Sequence, residues 1–412
     1  MKVAVLTSRW PWPLEKGDKL RLYHQLRALS EHVELHLVCL VDREPTSEER
    51  AALAPWVSGL HAVKLSPWRR ALRLAWAPLS SRPFQVHWFY QRGAHRQVLR
   101  VLGQIQPDQL LAQLIRTSEY VKELHEIPRT LDYMDALSAG MARRAEKHRG
   151  PRRWLFALEA RRLKRYEASV FDYFDGHSII TEADQRSIAH PDRARIAIVP
   201  NGVDTAFFQP APTPPSLPLT ASFIGNMAYP PNVDAALRLA LEIRPLAPSC
   251  VHWLIAGATP TPAVKALHGG SVEVTGWLDD IRLAYHRSHL FVAPIVLGSG
   301  QQNKLLEAMA CGLPCIVSPQ VRHGLGPHLI APDGPLNPDR IATAHAILAD
   351  TPQDFADRIA ELADHPDWRA ALGRNARRFV EEHASWSVES AKLLATFAAV
   401  PDETTPALRT PS

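Results

Sequence analysis

Lys304 and Glu307 stand three residues apart, and Asn303 and Glu307 four apart, so on a helix all three can share the ligand-facing side of its first two turns. A lysine suits phosphate as a point cation. A glutamate accepts hydrogen bonds from hydroxyls, such as a ribose diol. The surrounding chain supplies the rest of such a site. The apolar run Leu290 to Val296 reads as a buried strand, Gly298 and Gly300 turn the chain, and Asn303 to Cys311 has helical spacing with Leu305, Leu306 and Met309 on one face. Strand, glycine turn and helix together aim backbone N–H groups, here at Gly298–Gln301, toward an anionic ligand. A site that offers a cation and a diol acceptor points to a nucleotide-sugar.

A second set of polar residues falls at strand ends in the first half. Gly17 and Asp18 open a helix behind a loop holding Trp10, Pro11, Trp12 and Pro13. Gly17 lets backbone approach a ligand closely, and Asp18 is a candidate N-cap. The loop serves either as part of a ligand site or as a plain strand–helix turn with a capping aspartate. Arg116 ends one expected strand, and Asp132 and Asp135 end the next. A carboxylate there can orient an acceptor hydroxyl or take its proton, and an arginine can neutralise an anionic acceptor or a leaving phosphate. The structural alternatives are an N-cap role for Asp135 and an ion pair of Arg116 with Glu119 or one of the aspartates.

The elements that must hold these residues follow from the rest of the chain. Its 412 residues exceed one ordinary domain, and 46% hydrophobic with 22% charged residues is the composition of a soluble globular protein. Met1–Leu6 is too short for a signal-peptide core and reads as a first buried strand. No run of about 18 apolar residues predicts a transmembrane helix. The four cysteines, Cys39, Cys250, Cys311 and Cys315, fit neither a zinc spacing nor a disulfide framework, which points to packing roles in a reducing cytoplasm.

Apolar runs alternate with helical stretches throughout, the pattern of parallel sheets wrapped by helices. The first half predicts strands at Lys2–Thr7, Val33–Val41, Ala62–Leu65, Gln109–Leu114, Arg129–Met134, His177–Thr181 and Ile196–Pro200. Gln209 to Pro218 then holds five prolines in ten residues and reads as an extended linker. The pattern restarts with Thr220–Ile224, Val251–Ala256, Ser271–Thr275, Leu290–Val296, Cys315–Ser318 and His328–Ile330. The fold class is therefore α/β, with two doubly wound halves and ligands bound beyond the carboxyl ends of the strands, in the cleft between halves.

The segment Gly298-Ser299-Gly300-x-x-Asn303-Lys304-x-x-Glu307-Ala308-Met309-Ala310-x-Gly312-x-Pro314 resembles the donor-site loop and helix of GT-B glycosyltransferases of family 4, the glycosyl transferase group 1 enzymes. Within that group it looks most like the exopolysaccharide-associated sugar transferases. The likeness extends over nearly the whole chain. It includes Lys16–Arg21, Leu114–Tyr120, Asp132–Ser138, Val199–Asp204, Phe223–Asn232 and Val274–Leu278 in order.

The resemblance implies GT-B architecture, two Rossmann-like doubly wound domains facing across a cleft. It places an acceptor domain over 1–205, a proline-rich linker over 206–219 and a nucleotide-sugar donor domain over 220–384. A helix at about 385–400 packs back on the first domain, and a disordered tail covers 401–412. It implies transfer of a hexosyl group from a nucleoside diphosphate sugar to a hydroxyl of a growing glycan, with retention and with neither metal nor cofactor. Donor contacts would come from Gly17, Asn226, Gly298, Ser299, Gly300, Gln301, Asn303 and Lys304, with Trp277 and Leu278 at the base and Glu307 on the ribose. Lys304, Asp135 and Arg116 would carry the chemistry.

Two departures stand out. The first glutamate of the family's Glu-x7-Glu pattern is Ser299 here, and Asn226 and Asn232 replace the arginine and lysine that many relatives direct at the diphosphate. Lys304 and the N–H groups at Gly298–Gln301 are then expected to meet most of the diphosphate charge. A GT-B nucleotide-sugar 2-epimerase and a noncatalytic membrane-associated assembly partner stay open as alternatives.

The charge is uneven. Met141 to Arg165 carries ten Lys or Arg residues against Glu146 and Glu159, while the whole chain is only +5, so the remainder is slightly acidic. Trp68–Trp76 also mixes arginines with interfacial aromatics. Residues 141–165 read either as a docking face for an anionic membrane carrying a lipid-linked acceptor, on the inner face of the plasma membrane, or as a solvated helix face. Nucleic acid is not expected, since no helix-turn-helix, zinc or RNA-binding motif accompanies the charge.

Overall fold

The computed structural model describes residues 1–77, 80–213, 215–216, 218–296, 301–323 and 334–397. It forms two compact units, one built from Met1–Val199 with the chain from Ser390 onward, the other from Pro200–Glu389.

The first unit is a seven-stranded sheet in the order β3-β2-β1-β4-β5-β6-β7. The strands are β1 (Lys2–Thr7), β2 (Glu34–Val41), β3 (Gly59–Lys64), β4 (Gln109–Gln113), β5 (Arg129–Asp132), β6 (Gly176–Ile179) and β7 (Ala197–Ile198). All neighbouring pairs are parallel. Parallel sheets are covered on both faces, which is why these strands read as near-continuous apolar runs. Val3, Val5, Leu35 and Leu37 join one core, and Ala4, Leu6, Val38 and Leu40 join the other, following the two-residue period of a strand. Helix Gly17–Leu29 closes the first core with Leu22, Leu26 and Leu29, and helix Arg92–Ile105 closes the second with Ala94, Val98, Leu102 and Ile105.

The second unit is a six-stranded sheet in the order β10-β9-β8-β11-β12-β13. Its strands are β8 (Thr220–Ile224), β9 (His252–Ala256), β10 (Val272–Val274), β11 (Leu290–Ala293), β12 (Cys315–Val317) and β13 (Ile347–Leu348). These pairs are parallel too. One apolar core runs through the unit, from Val203 to Ala384.

The expected strands recur at twelve of the thirteen predicted places, several trimmed by one to three residues at an end. The strand predicted at His328–Ile330 lies outside the described residues, as does the tail 401–412. The edge strand β13 was not anticipated. It is two residues long within Ala346–Ala349, too short to show a period.

The proline-rich stretch differs from the linker expected over 206–219. The chain passes between units at Val199–Pro200 instead. The stretch is held to the second unit because its exposed carbonyls find donors there. Arg377 donates to Thr205 and Phe208 oxygens, and His286 and His289 bond the Gln209 and Pro215 oxygens. The last helix, Trp386–Leu394, straddles the return, and Leu393 is fully buried in the first unit's core.

Candidate active site

Each sheet has one point where the strand order reverses direction, and in doubly wound sheets ligands bind in the crevice that opens there, beyond the carboxyl ends. In the second unit that point lies between β8 and β11. The chain leaving β8 supplies Gly225 and Asn226, and the chain leaving β11 leads to helix Asn303–Ala310.

That helix is amphipathic, burying Leu305, Leu306 and Met309. It stops at Gly312, whose φ of +71° suits glycine; Gly312 N–H donates to Met309 O and Leu313 N–H to Ala308 O. Its N-terminus has no side-chain cap; Leu305 N–H turns back to Gln302 O, and the Asn303 and Lys304 N–H groups have no hydrogen-bond partner among the described residues.

Lys304 Nζ donates to Asn232 Oδ1 at 2.6 Å and to Gln302 Oε1 at 3.1 Å, and lies 5.4 Å from the Phe223 ring centre. It forms no ion pair among the described residues. Desolvation lowers its pKa to about 8, with Glu307 pulling weakly the other way. The site thus holds a partly desolvated cation without a counter-ion.

Glu307 Oε2 accepts from Tyr285 Oη at 2.7 Å, and the same hydroxyl reaches Lys304 O at 3.2 Å. Burial raises the Glu307 pKa, opposed by the Tyr285 bond and by Lys304. Glu307 Oε1 makes no hydrogen bond among the described residues and stays available to a hydroxyl donor. Asn226 Oδ1 accepts from Ala228 N–H, and Asn226 O accepts from Asn232 Nδ2 at 2.9 Å. Asn232, 4% exposed, therefore ties the loop after β8 to Lys304. A methyl group added at Gly225 would sit 2.8 Å from Asn232 Nδ2 and 3.2 Å from Lys304 Cε, so glycine is needed there.

Other predicted donor residues are placed differently. The Gln301 side chain accepts from Asn201 N–H at 2.6 Å and donates to Asn201 O at 2.7 Å, and Asn303 Oδ1 accepts from Asn201 Nδ2. Both side chains serve the turn at Asn201–Gly202 rather than the Lys304–Glu307 side, Gln301 closing on the Asn201 N–H and C=O and Asn303 on its amide. Gly202 is itself structural, since a methyl group there would strike the Trp386 backbone. Trp277 is 72% exposed, its indole donating to Asp279 Oδ1. Leu278 is half-buried against the core. Asp280 Oδ1 accepts from the opening N–H of helix Arg282–His286. Gly298, Ser299 and Gly300 lie outside the described residues.

In the first unit the reversal lies between β1 and β4. Arg9 follows β1, Arg116 follows β4, and Asp135 follows β5. Arg9 Nη1 pairs with Asp18 Oδ2 at 2.6 Å, and Gln113 joins the two loops by bonding Thr7 Oγ1 and Asp18 O. Asp18 is therefore not an N-cap: the helix begins at Gly17 behind Lys16, and the carboxylate turns to Arg9. Gly17 has open space where a side chain would stand, so packing does not require glycine.

Arg116 pairs with none of the expected carboxylates. Its Nε donates to Gln85 Oε1 at 3.1 Å, because Glu119 is already held by Tyr166, Lys122 and Arg82. Asp132 is also committed: it is buried, pairs with Arg21 at 2.9 Å, and accepts from Ser178 Oγ and Met134 N–H. It has no capacity left for an acceptor hydroxyl. Asp135 does. Helix Leu137–Lys147 starts behind Ala136 with no side-chain cap, and the Asp135 carboxylate has no hydrogen-bond partner among the described residues. The residue is exposed by accessible surface, yet the protein packed around its carboxylate, and after it Asp184, push its pKa up to about 6, against Arg21.

Residues 218–365 match the family Glycosyl transferases group 1. That span holds Asn226, Asn232, Trp277, Tyr285, Lys304 and Glu307. No match was found among curated proteins. Among solved structures, HepE from Anabaena in complex with UDP superposes with a TM-score of 0.65 at 14% identity, over 96% of this chain and 99% of that one. S. aureus TarM, solved with Fondaparinux, alpha-GlcNAc-glycerol and UDP, gives 0.62 at 11% identity over 97% and 100%. Sucrose-phosphate synthase from Thermosynechococcus elongatus gives 0.61 at 14% identity over 96% and 97%. The fold is GT-B.

Three residues of the site escape the sequence motif. Tyr285 lies 22 positions before Glu307 and reaches it only through the fold. Gln302 reaches the Lys304 ammonium two residues on, and Asn232, recognised as a departure from the family pattern, proves to be the partner that holds Lys304. Among the described residues no group of three or more His, Cys, Asp or Glu side chains is arranged to hold a metal ion.

Proposed function

We propose that this protein is a glycosyltransferase that moves a hexosyl group from a nucleoside diphosphate sugar to a hydroxyl of a glycan acceptor, with retention of configuration. The observation that carries this is the partly desolvated Lys304, which has no carboxylate ion pair among the described residues, one helical turn from Glu307 at the reversal point of the family-matched unit. An ammonium so placed gains a counter-ion when a diphosphate binds. It stabilises the charge that grows on the leaving diphosphate as the glycosidic bond loosens, without reorganising at that moment. Glu307 Oε1 is positioned to accept from the ribose diol, and the uncapped helix N-terminus adds donors for phosphate. The HepE structures with UDP and with UDP-glucose support a donor of this class.

Asp135 is the group we assign to the acceptor hydroxyl, since its carboxylate has no hydrogen-bond partner among the described residues and is raised toward neutrality in pKa. We place the acceptor on a lipid at the inner face of an anionic membrane, in polysaccharide synthesis. Helices Leu137–Lys147 and Gly150–Phe171 expose most of the basic residues of the belt. Glu159 is withdrawn from that surface to accept the Phe84 and Gln85 N–H groups. Trp154 and Trp68 stand 68% and 82% exposed, as interfacial anchors would. No helix among the described residues is long and apolar enough to cross a membrane.

The test is calorimetric titration of UDP, GDP, ADP and TDP against wild type and Glu307→Ala, followed by product analysis with and without acceptor. One nucleotide binding wild type but not the variant, with transfer in the presence of acceptor, is the expected result. Sugar epimerised without acceptor, or no nucleotide bound at all, would overturn the assignment.

A further inference from the structure

Arg116 presents a chemical imbalance that the donor site does not use. Its guanidinium sits in the turn just beyond β4, half-buried, with Nε on Gln85 Oε1 and the plane 5.3 Å from the Phe89 ring centre. Nη1 is sealed from solvent and has no hydrogen-bond partner among the described residues. No carboxylate pairs with Arg116 among the described residues. A buried guanidinium nitrogen without an acceptor is costly, and such groups recur where a ligand completes them.

Arg9 lies across the same crevice, two residues beyond β1, which is the strand paired with β4. Gln113, the last residue of β4, bonds Thr7 of β1 and the backbone of Asp18, fixing the two loop ends together. Arg9 and Asp18 are near enough for their charges to act on Arg116, which desolvation above all lowers to about 10 in pKa. The cluster therefore holds two guanidinium groups against one carboxylate, at the point of strand reversal where doubly wound sheets take ligands. Arg9 is 37% exposed in its side chain, so its fork remains open to a second anion while it pairs with Asp18.

We propose that Arg116 and Arg9 form an anion-binding subsite for the acceptor, which takes a carboxylate or phosphate group carried by the glycan or its carrier. Planar guanidinium forks match both groups in bidentate geometry. The phenyl ring of Phe89 and the Gln85 amide fix the Arg116 plane before the ligand arrives, which lowers the ordering cost of binding. The proposal rests on the glycosyltransferase reading, because it assigns this subsite to the acceptor.

The test titrates the full chain with sodium glucuronate, inorganic phosphate and glucose at constant ionic strength. Calorimetry follows wild type, Arg116→Gln and Arg9→Gln, and each variant is also titrated with UDP. Circular dichroism checks that both variants are folded; Arg9 is exposed enough for its variant to report even if Arg116→Gln unfolds. The expected result is anion binding by wild type, no binding of glucose, and about a tenfold loss of anion affinity in each variant at unchanged UDP affinity. Preference for glucuronate assigns a uronate-bearing acceptor, and preference for phosphate assigns a phosphorylated carrier. Equal anion affinity in wild type and variants, or no anion binding by wild type, overturns the subsite. A parallel loss of UDP affinity also overturns it, since the anion held would then be the donor diphosphate. Failure of wild type to bind any nucleotide sinks the glycosyltransferase reading instead, and the anion titration still reports on the arginines.

Discussion

Lys304 Nζ and Asn232 Oδ1 lie 2.6 Å apart, which makes the amide the closest hydrogen-bond partner of the site's cation. A neutral partner orients the ammonium without cancelling its charge. Asn232→Asp would supply a carboxylate there, closing an internal ion pair that competes with the diphosphate. Nucleotide affinity measured by calorimetry should fall by about tenfold or more, on the scale of a desolvated charge pair. Lys304→Ala removes the charge itself. Turnover should drop by about 100-fold, in line with loss of one preorganised electrostatic group, with a smaller loss in nucleotide affinity. Wild-type kinetics in the lysine variant would remove Lys304 from the mechanism.

The pH profile should be bell-shaped. Lys304 must be protonated to meet a diphosphate, and its pKa of about 8 means the charge is lost as pH rises through that value. Asp135 must be ionised to receive a hydroxyl proton, and its pKa of about 6 means activity is gained as pH rises through that value. Both groups belong to the free enzyme, so kcat/KM is the quantity to plot. Lys304→Arg should shift the alkaline limb upward, because arginine stays charged. Asp135→Asn should lower the rate and abolish the acidic limb. An unchanged acidic limb in that variant would remove Asp135 as the proton acceptor.

What the sequence disclosed and what it hid differ by distance along the chain. Lys304 and Glu307 were legible because helical spacing alone places them together. The strands were legible because burial on both faces turns them into apolar runs, as in Val3–Thr7 and Leu290–Ala293. The contacts of Gln301 and Asn303 were hidden because their amides turn to Asn201, about a hundred residues away. Asp132 read as a candidate for the acceptor because a carboxylate at a strand end looks the same whether solvent or Arg21 faces it. Tyr285 is supplied by a separate element and no local pattern announces it, while Asn232 stood out only as a departure from the family pattern, which did not disclose its bond to Lys304.

Glu307 and Tyr285 make a coupled pair whose parts can be separated. Tyr285→Phe leaves Glu307 Oε2 without its donor in a desolvated place, while Oε1, the atom proposed to meet the ribose, is untouched. Glu307→Gln keeps an acceptor but loses the charge. Hydrogen bonds to charged groups are worth about 1.5–3 kcal/mol, so Glu307→Gln should weaken nucleotide binding by about tenfold or more. A 2′,3′-dideoxy nucleotide provides the control, since it should bind wild type and Glu307→Gln alike. A further loss for the dideoxy compound in the variant would mean that Glu307 does not contact the diol.

Arg21 and Asp132 bear on stability rather than chemistry. Both side chains are buried, and the pair joins helix Gly17–Leu29 to the end of β5 at 2.9 Å. Removing one partner leaves a charge buried without its counter-ion, which costs about 3–5 kcal/mol. Arg21→Met should therefore lower the unfolding free energy in denaturant titrations by about that much, and Asp132→Asn by a similar amount. Replacing both residues together should recover part of the loss, because no lone charge remains. Nucleotide binding by the second unit should persist in the single variants at low temperature. If Asp132→Asn instead kept full stability and lost only transfer, the aspartate would belong with Asp135 at the acceptor rather than with the core.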